Sequence, residues 1–285
     1  MNYFSEEDLK KLNKPDPAAG KGENGRITII GGSHLFHGAP LLSLKTAARV
    51  VDMVFFASPE PSIGEVASSL KSQLSAFIWI PWDKLPEYIE KSNAVLIGPG
   101  LMRYREQKVW QVGQSDKNLD EAGQKTKDIT ESLLKEFPNK QWVIDAGSLQ
   151  TMDPATIPQN AILTPNKKEF ERLFGVGINE ENVQEMSKKY KCLIVGKNEE
   201  TIIASPEEIR VVKGGNAGMV KGGTGDVLAG LTVALAAKNE PLLAACAASF
   251  IVKKAAEELY QKSGFAYSAD DLAEEVPQVL GKYWR

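Results

Sequence analysis

From residue 26 onward the apolar positions fall in short unbroken runs, separated by longer stretches in which they recur every three or four residues. The runs RITII (26–30), DMVFFA (52–57), AFIWI (76–80), NAVLIG (93–98), QWVIDA (141–146) and AILT (161–164) read as strands. APLLSLKTAARV (39–50), GEVASSLKSQL (64–74) and a long segment ending in TESLLKEF (130–137) read as the helices between them. Strands apolar on both faces, alternating with helices, predict an α/β fold: a mainly parallel central sheet with helices on both faces.

The rhythm changes later in the chain. KCLIVG (191–196), ETIIAS (200–205) and IRVVKG (209–214) are three strands in close succession, which predicts a small antiparallel addition at one sheet edge. From Thr224 the chain reads as three helices, started by Thr224, Pro241 and Ser268, with Pro277 expected to break or bend the last. No composition shift marks a linker and no repeat is visible. One domain over residues 1–285 is expected, with residues 1–25, containing NKPDPAAGKGENG, as a lead-in. The polar segment Arg103 to Lys127 reads as a surface excursion.

Composition narrows the chemistry. A net charge of −3 over 285 residues argues against a dedicated nucleic-acid surface, so phosphate binding has to be local. Cys192 and Cys246 sit in apolar segments and read as small buried hydrophobes, not as a disulfide framework or metal ligands. PLLAACAASFIV is shorter than the ~18 to 20 residues a membrane span requires, and MNYFSEEDLKKL lacks the pattern of a signal peptide. The expectation is a cytoplasmic protein with no membrane or nucleic-acid partner.

Four clusters carry candidate chemistry. GGNAGMVKGGTGDVLAGL (214–231) holds seven glycines and places Asp226 where an apolar helix starts. A helix N-terminus offers unpaired N–H groups and partial positive charge to a phosphate, and Asp226 would stand beside that anion as a general base for a hydroxyl attacking phosphorus. A glycine-rich turn with Asp226 as N-cap is the plainer alternative. IIGGSHLFHGAP follows the first strand but fits neither the dinucleotide fingerprint nor the P-loop. Its His34 and His37, the chain's two histidines, read as loop or pocket lining and not as a metal pair. No G-x-S-x-G elbow is present to supply a hydrolase nucleophile. LIGPGL (96–101) lets backbone approach a ligand or simply turns. In VIDAGSL and ILTPNKKEFERLF, Asp145 ends a strand, and Asn166 and Glu169 lie one helical turn apart, suited to organise a hydrated Mg²⁺ or to form a capping box. A parallel sheet collects such clusters in one crevice at its carboxyl edge.

In GKGENGRITIIGGS, GA at 38–39, GPG at 98–100, DAGSL at 145–149, TPNKKEF at 164–170 and, most specifically, GNAGMVKGGTGDVLAGL, the chain resembles the ADP/ATP-dependent NAD(P)H-hydrate dehydratases of the ribokinase-like superfamily. The likeness runs from about Lys21 to Leu280. It implies dehydration of the S epimer of hydrated NADH or NADPH, with ADP or ATP as phosphoryl donor and Mg²⁺ as cofactor. It also implies a separate epimerase as pathway partner and a homo-oligomer. By motif position, Ala39, Gly98, Gly100, Asn166 and Asp226 would meet the substrate. Lys197, Thr201, Gly222, Gly223, Thr224 and Gly225 would bind the nucleotide, and Asn166 and Glu169 would meet the metal through water.

Three positions depart from the family pattern. Asn166 replaces the usual histidine and makes N-x-x-E, common in sugar kinases; Gly147 stands where D-A-D has its second acid; and the lysine of L-K-G is displaced to Lys197. A ribokinase-type small-molecule kinase is the alternative enzyme, and a nucleotide-binding regulator without catalysis the alternative class. A pure binder has no evident need for Asp226.

Overall fold

The computed structural model describes residues 2–104 and 121–284. Its centre is one sheet built from β1 (Arg26–Ile30), β2 (Met53–Ala57), β3 (Ile78–Trp79), β4 (Ala94–Ile97), β5 (Gln141–Ile144), β6 (Ile162–Leu163), β7 (Leu193–Gly196), β8 (Thr201–Ala204) and β9 (Ile209–Val212). The strand order is β3-β2-β1-β4-β5-β6-β7-β8-β9. Pairings from β3 through to β7 are parallel, while β7 with β8 and β8 with β9 are antiparallel. The mixed architecture expected of the strand runs is therefore present, including the antiparallel edge.

Alternation along the strands divides the interior in two. Ile27, Ile29, Ala94 and Leu96 face one apolar cluster; Ile30, Val95 and Ile97 face the other. The first is covered by α1 (Gly38–Ala47), α2 (Ser62–Leu70), α8 (Thr224–Ala236), α9 (Pro241–Ser263) and α10 (Ala269–Trp284). The second is covered by α3 (Leu85–Lys91), α4 (Glu121–Glu136), α5 (Ala146–Thr151), α6 (Lys167–Phe174) and α7 (Glu180–Tyr190). Burial on both sides explains why the strands read as continuous apolar runs.

Two expectations are corrected. α10 continues through Pro277, so of the two expected effects, a break or a bend, the break does not occur. Residues 121–127 form the first turns of α4 and are not part of an excursion, whereas residues 105–120 lie outside the described residues. No described helix is long and apolar enough to cross a membrane.

The chain runs β1, β2, β3 outward in one direction and resumes with β4 on the other side of β1, which makes the β1/β4 junction a topological switch point. Crevices open at the carboxyl ends of strands there, because successive connections diverge to opposite faces.

Candidate active site

The loops leaving β1, β4 and β5 are drawn together by backbone contacts. Gly32 N–H donates to the Pro99 carbonyl at 2.8 Å, Asp145 N–H to that of Ile97 at 3.0 Å, and Gly147 N–H to that of Gly98 at 3.3 Å. Such proximity leaves no room for side chains. A Cβ at Gly98, where φ is +122°, would lie 1.8 Å from the Asp145 carbonyl oxygen. At Gly100 it would lie 2.5 Å from the Phe36 carbonyl oxygen. These glycines let one loop pack on another, quite apart from any approach by a ligand. The same holds for Gly147, whose Cβ would fall 2.3 Å from the Leu101 carbonyl oxygen, so the missing second acid of D-A-D has a steric reason.

Next along this edge, Asp145 is buried and its Oδ1 accepts from Thr164 Oγ1 at 2.7 Å and from Lys197 Nζ at 3.0 Å. Lys197 Nζ also lies 3.9 Å from Glu169 Oε2. Ala146, directly after Asp145, has φ +46°, a left-handed conformation that costs a non-glycine residue of order 1 kcal/mol and fixes the turn into α5. Asn166 is the N-cap of α6: its side chain accepts from Lys168 and Glu169 N–H, and Glu169 Oε2 accepts from Asn166 N–H at 2.8 Å. The N-x-x-E pair is thus a capping box. Gln150 donates to the other Glu169 oxygen at 3.2 Å, so both residues offer a metal contact through water more readily than directly.

α8 completes the site. Gly223, its N-cap, has φ +95°, and Thr224 secures the loop by donating its hydroxyl to the Met219 carbonyl at 2.6 Å. The position a Cβ would take at Gly222 has no heavy atom within 4 Å, and at Gly225 meets Lys197 Nζ alone, at 3.3 Å. An open backbone cradle therefore lies at the head of α8 with one ammonium beside it. Asp226 occupies the first turn, and its carbonyl accepts from Ser43 Oγ of α1 at 2.8 Å. Ala39, at the start of α1, is half-buried on this side. Thr201 is buried at the beginning of β8, paired with Val212; since β8 runs antiparallel, its start lies at the edge where Lys197 follows β7.

Electrostatics bind these residues into a group. Burial pushes the Asp226 carboxyl up to about 7, Asp145 and Glu169 add to the rise, and Lys197 opposes it. Burial also raises Glu169. For Lys197 burial acts downward, but Asp145 and Glu169 outweigh it and hold the ammonium above its ordinary value. Three carboxylates around one lysine leave a surplus of negative charge, which suits a cation arriving with a phosphorylated ligand. The linked trio Asp145, Lys197 and Glu169 was not legible as a unit in the sequence; the only signal was that each follows a strand or opens a helix.

His34 lines a cavity near β1 and β2, and no His/Cys/Asp/Glu metal cluster occurs among the described residues. Both cysteines line a cavity of about 500 Å³ at the opposite end of the sheet, and burial pushes each thiol up to about 12.

Residues 27–278 match the family model described as NAD(P)H-hydrate dehydratase. The chain belongs to the NAD(P)H-hydrate dehydratase family. It is 35% identical over 283 residues to the bifunctional NAD(P)H-hydrate repair enzyme of Methanocaldococcus jannaschii, covering 96% of this chain and 51% of that protein. The chain thus spans about half the length of its bifunctional family relatives. It is 30% identical over 277 residues to the ADP-dependent (S)-NAD(P)H-hydrate dehydratase of Nitrosopumilus maritimus, covering 91% of this chain and 90% of the other. Among solved structures, a ribokinase-like superfamily protein of Enterococcus faecalis superposes with a TM-score of 0.81 at 21% identity, covering 99% and 96% of the two chains. The ADP/ATP-dependent NAD(P)H-hydrate dehydratase of Bacillus subtilis, co-crystallised with ATP/Mg²⁺, gives 0.75 at 23% identity, covering 99% and 98%. The fold of this family member is ribokinase-like.

Proposed function

We propose that the protein catalyses the ADP- or ATP-dependent dehydration of (6S)-NADH or (6S)-NADPH hydrate, with Asp226 as general base. The observation that carries the proposal is the open cradle of Gly222 to Gly225, shared by Lys197 and by a carboxyl group raised to about 7. A base works best when its pKa lies near the operating pH, and Asp226 meets that condition.

In this mechanism Asp226 takes the proton of the ring hydroxyl, and the oxygen attacks the terminal phosphorus of the donor, releasing the shortened nucleotide. The glycine-rich backbone at the head of α8 and the Lys197 ammonium receive the negative charge of the transferring phosphoryl group. Mg²⁺, when bound, offsets further phosphate charge, with Asn166 and Glu169 proposed to meet it through water. The phosphate ester is the activated leaving group. Its C–O bond breaks as the adjacent ring nitrogen donates its lone pair, and loss of the neighbouring C5 proton restores the double bond. Ala39, Gly98 and Gly100 are proposed to line the ring, and Thr201 to border the donor. The proposed partner is an epimerase that interconverts the two hydrate epimers, and the proposed assembly is a homo-oligomer.

Incubation with hydrated NADH and ADP or ATP tests the assignment. Recovery of NADH absorbance is expected; accumulation of a stable phosphorylated product from another hydroxyl compound, with no NADH recovered, would favour a small-molecule kinase.

A further inference from the structure

The hydrate substrate is a dinucleotide, and the donor is assigned to the β5–β9 half of the carboxyl edge. The nucleoside distal to the nicotinamide ring must then leave the reaction centre over the other half, formed by β1, β2 and β4. A cavity of about 310 Å³ lies there, starting at Gly32 and Leu101, immediately beside the Gly100 loop. Its volume is in the range of small-molecule sites.

One group in this cavity is fixed in advance. Glu60 follows β2, and its Oε1 accepts from Ser62 N–H at 3.3 Å and from Ser62 Oγ at 3.0 Å. Its own N–H donates to Ser58 Oγ at 3.1 Å, and Ser58 Oγ donates to the Gly32 carbonyl at 3.4 Å. Gly32 is in turn bonded to Pro99, so the carboxylate is tied through short links to the Gly98–Gly100 loop. The Ser62 hydroxyl and N–H hold the Glu60 carboxyl below its usual range, with lesser help from His34 and Lys125. Oε2 has no hydrogen-bond partner among the described residues, and Glu60 forms no ion pair there. An ionised acid after the second strand of an open parallel sheet, lining a cavity and with one oxygen unpartnered among the described residues, is suited to accept a ribose hydroxyl and to repel a phosphate at that position.

Resting on the dehydratase reading, we infer that this cavity is the subsite for the distal adenosine of the substrate and that Glu60 selects the NADH hydrate over its 2′-phosphorylated counterpart. Lys125, which also lines the cavity, acts in the opposite sense by attracting the phosphate.

Steady-state kcat/KM is measured for the hydrates of NADH, NADPH and reduced nicotinamide mononucleotide, on the whole protein and its Glu60→Gln and Lys125→Ala variants. The wild type is expected to favour NADH hydrate over NADPH hydrate by about tenfold and to lose efficiency on the truncated hydrate. Glu60→Gln narrows the NADH/NADPH ratio and Lys125→Ala widens it. If Glu60→Gln proves unstable, the Lys125→Ala ratio decides alone. A wild type that processes all three hydrates equally, or ratios that neither variant moves, overturns the subsite while leaving the dehydratase reading intact. A folded wild type that binds ADP but dehydrates none of the three overturns both.

Discussion

Lys197 Nζ donates to Asp145 Oδ1 across 3.0 Å, joining the ends of β7 and β5 over the intervening β6. The pair brings a cation and an acid that are 52 residues apart in sequence into one charge group with Glu169 and Asp226.

Asp226 has the clearest pH signature. As the proposed general base Asp226 acts in its ionised form, so kcat/KM should rise through about pH 7 and level off above it. Asp226→Asn removes that acidic limb and lowers kcat on the order of 10³-fold while nucleotide still binds. Turnover within tenfold of wild type would refute the role.

The same shift has an opposite consequence for stability. The folded carboxyl holds its proton up to about pH 7, whereas the unfolded one releases it near 3.8. Between those values the native state binds more protons, so this group's contribution declines as pH rises through the window. Asp226→Asn should therefore be more stable than wild type at pH 8, by on the order of 2 kcal/mol after allowance for partial exposure, as read from urea unfolding.

Lys197→Met leaves Asp145 and Glu169 without their shared cation. Because Lys197 holds the Asp226 pKa down, its loss should move the acidic limb to higher pH. Stability at pH 7 should fall by about 3 kcal/mol, since the remaining buried carboxylates are unpaired. An unmoved limb would show that the two residues are not coupled.

Gly98→Ala places a methyl group 1.8 Å from the Asp145 carbonyl oxygen at a φ of +122°. Either the β4 loop or the β5 loop must yield. A loss of at least about 3 kcal/mol in chemical denaturation is expected, with activity abolished.

Asn166→Ala removes the cap of α6 and should cost about 1 kcal/mol, whereas Asn166→Asp keeps the accepting oxygen and should cost little. Donor KM measured at several Mg²⁺ concentrations separates capping from a metal role: if Asn166 only caps, the aspartate variant keeps the wild-type Mg²⁺ dependence.

The sequence by itself determined the strands, most of the helices and the location of the glycine-rich loops. Unbroken apolar runs such as RITII and AVLI can only be buried on both faces, and glycine clusters at their ends mark where the backbone must turn tightly or make close contact. It also singled out Asp226, because an acid in the first turn of an apolar helix behind bare glycine is a local pattern. Helices α3, α5 and α7 were not read from the sequence, and their apolar residues find their place only against the second core cluster. Tertiary structure alone decided what Gly147 and Lys197 do: one yields space to a neighbouring carbonyl, the other balances acids from two different elements. Steric exclusion and desolvated charge act between residues distant along the chain, and no local spacing encodes them.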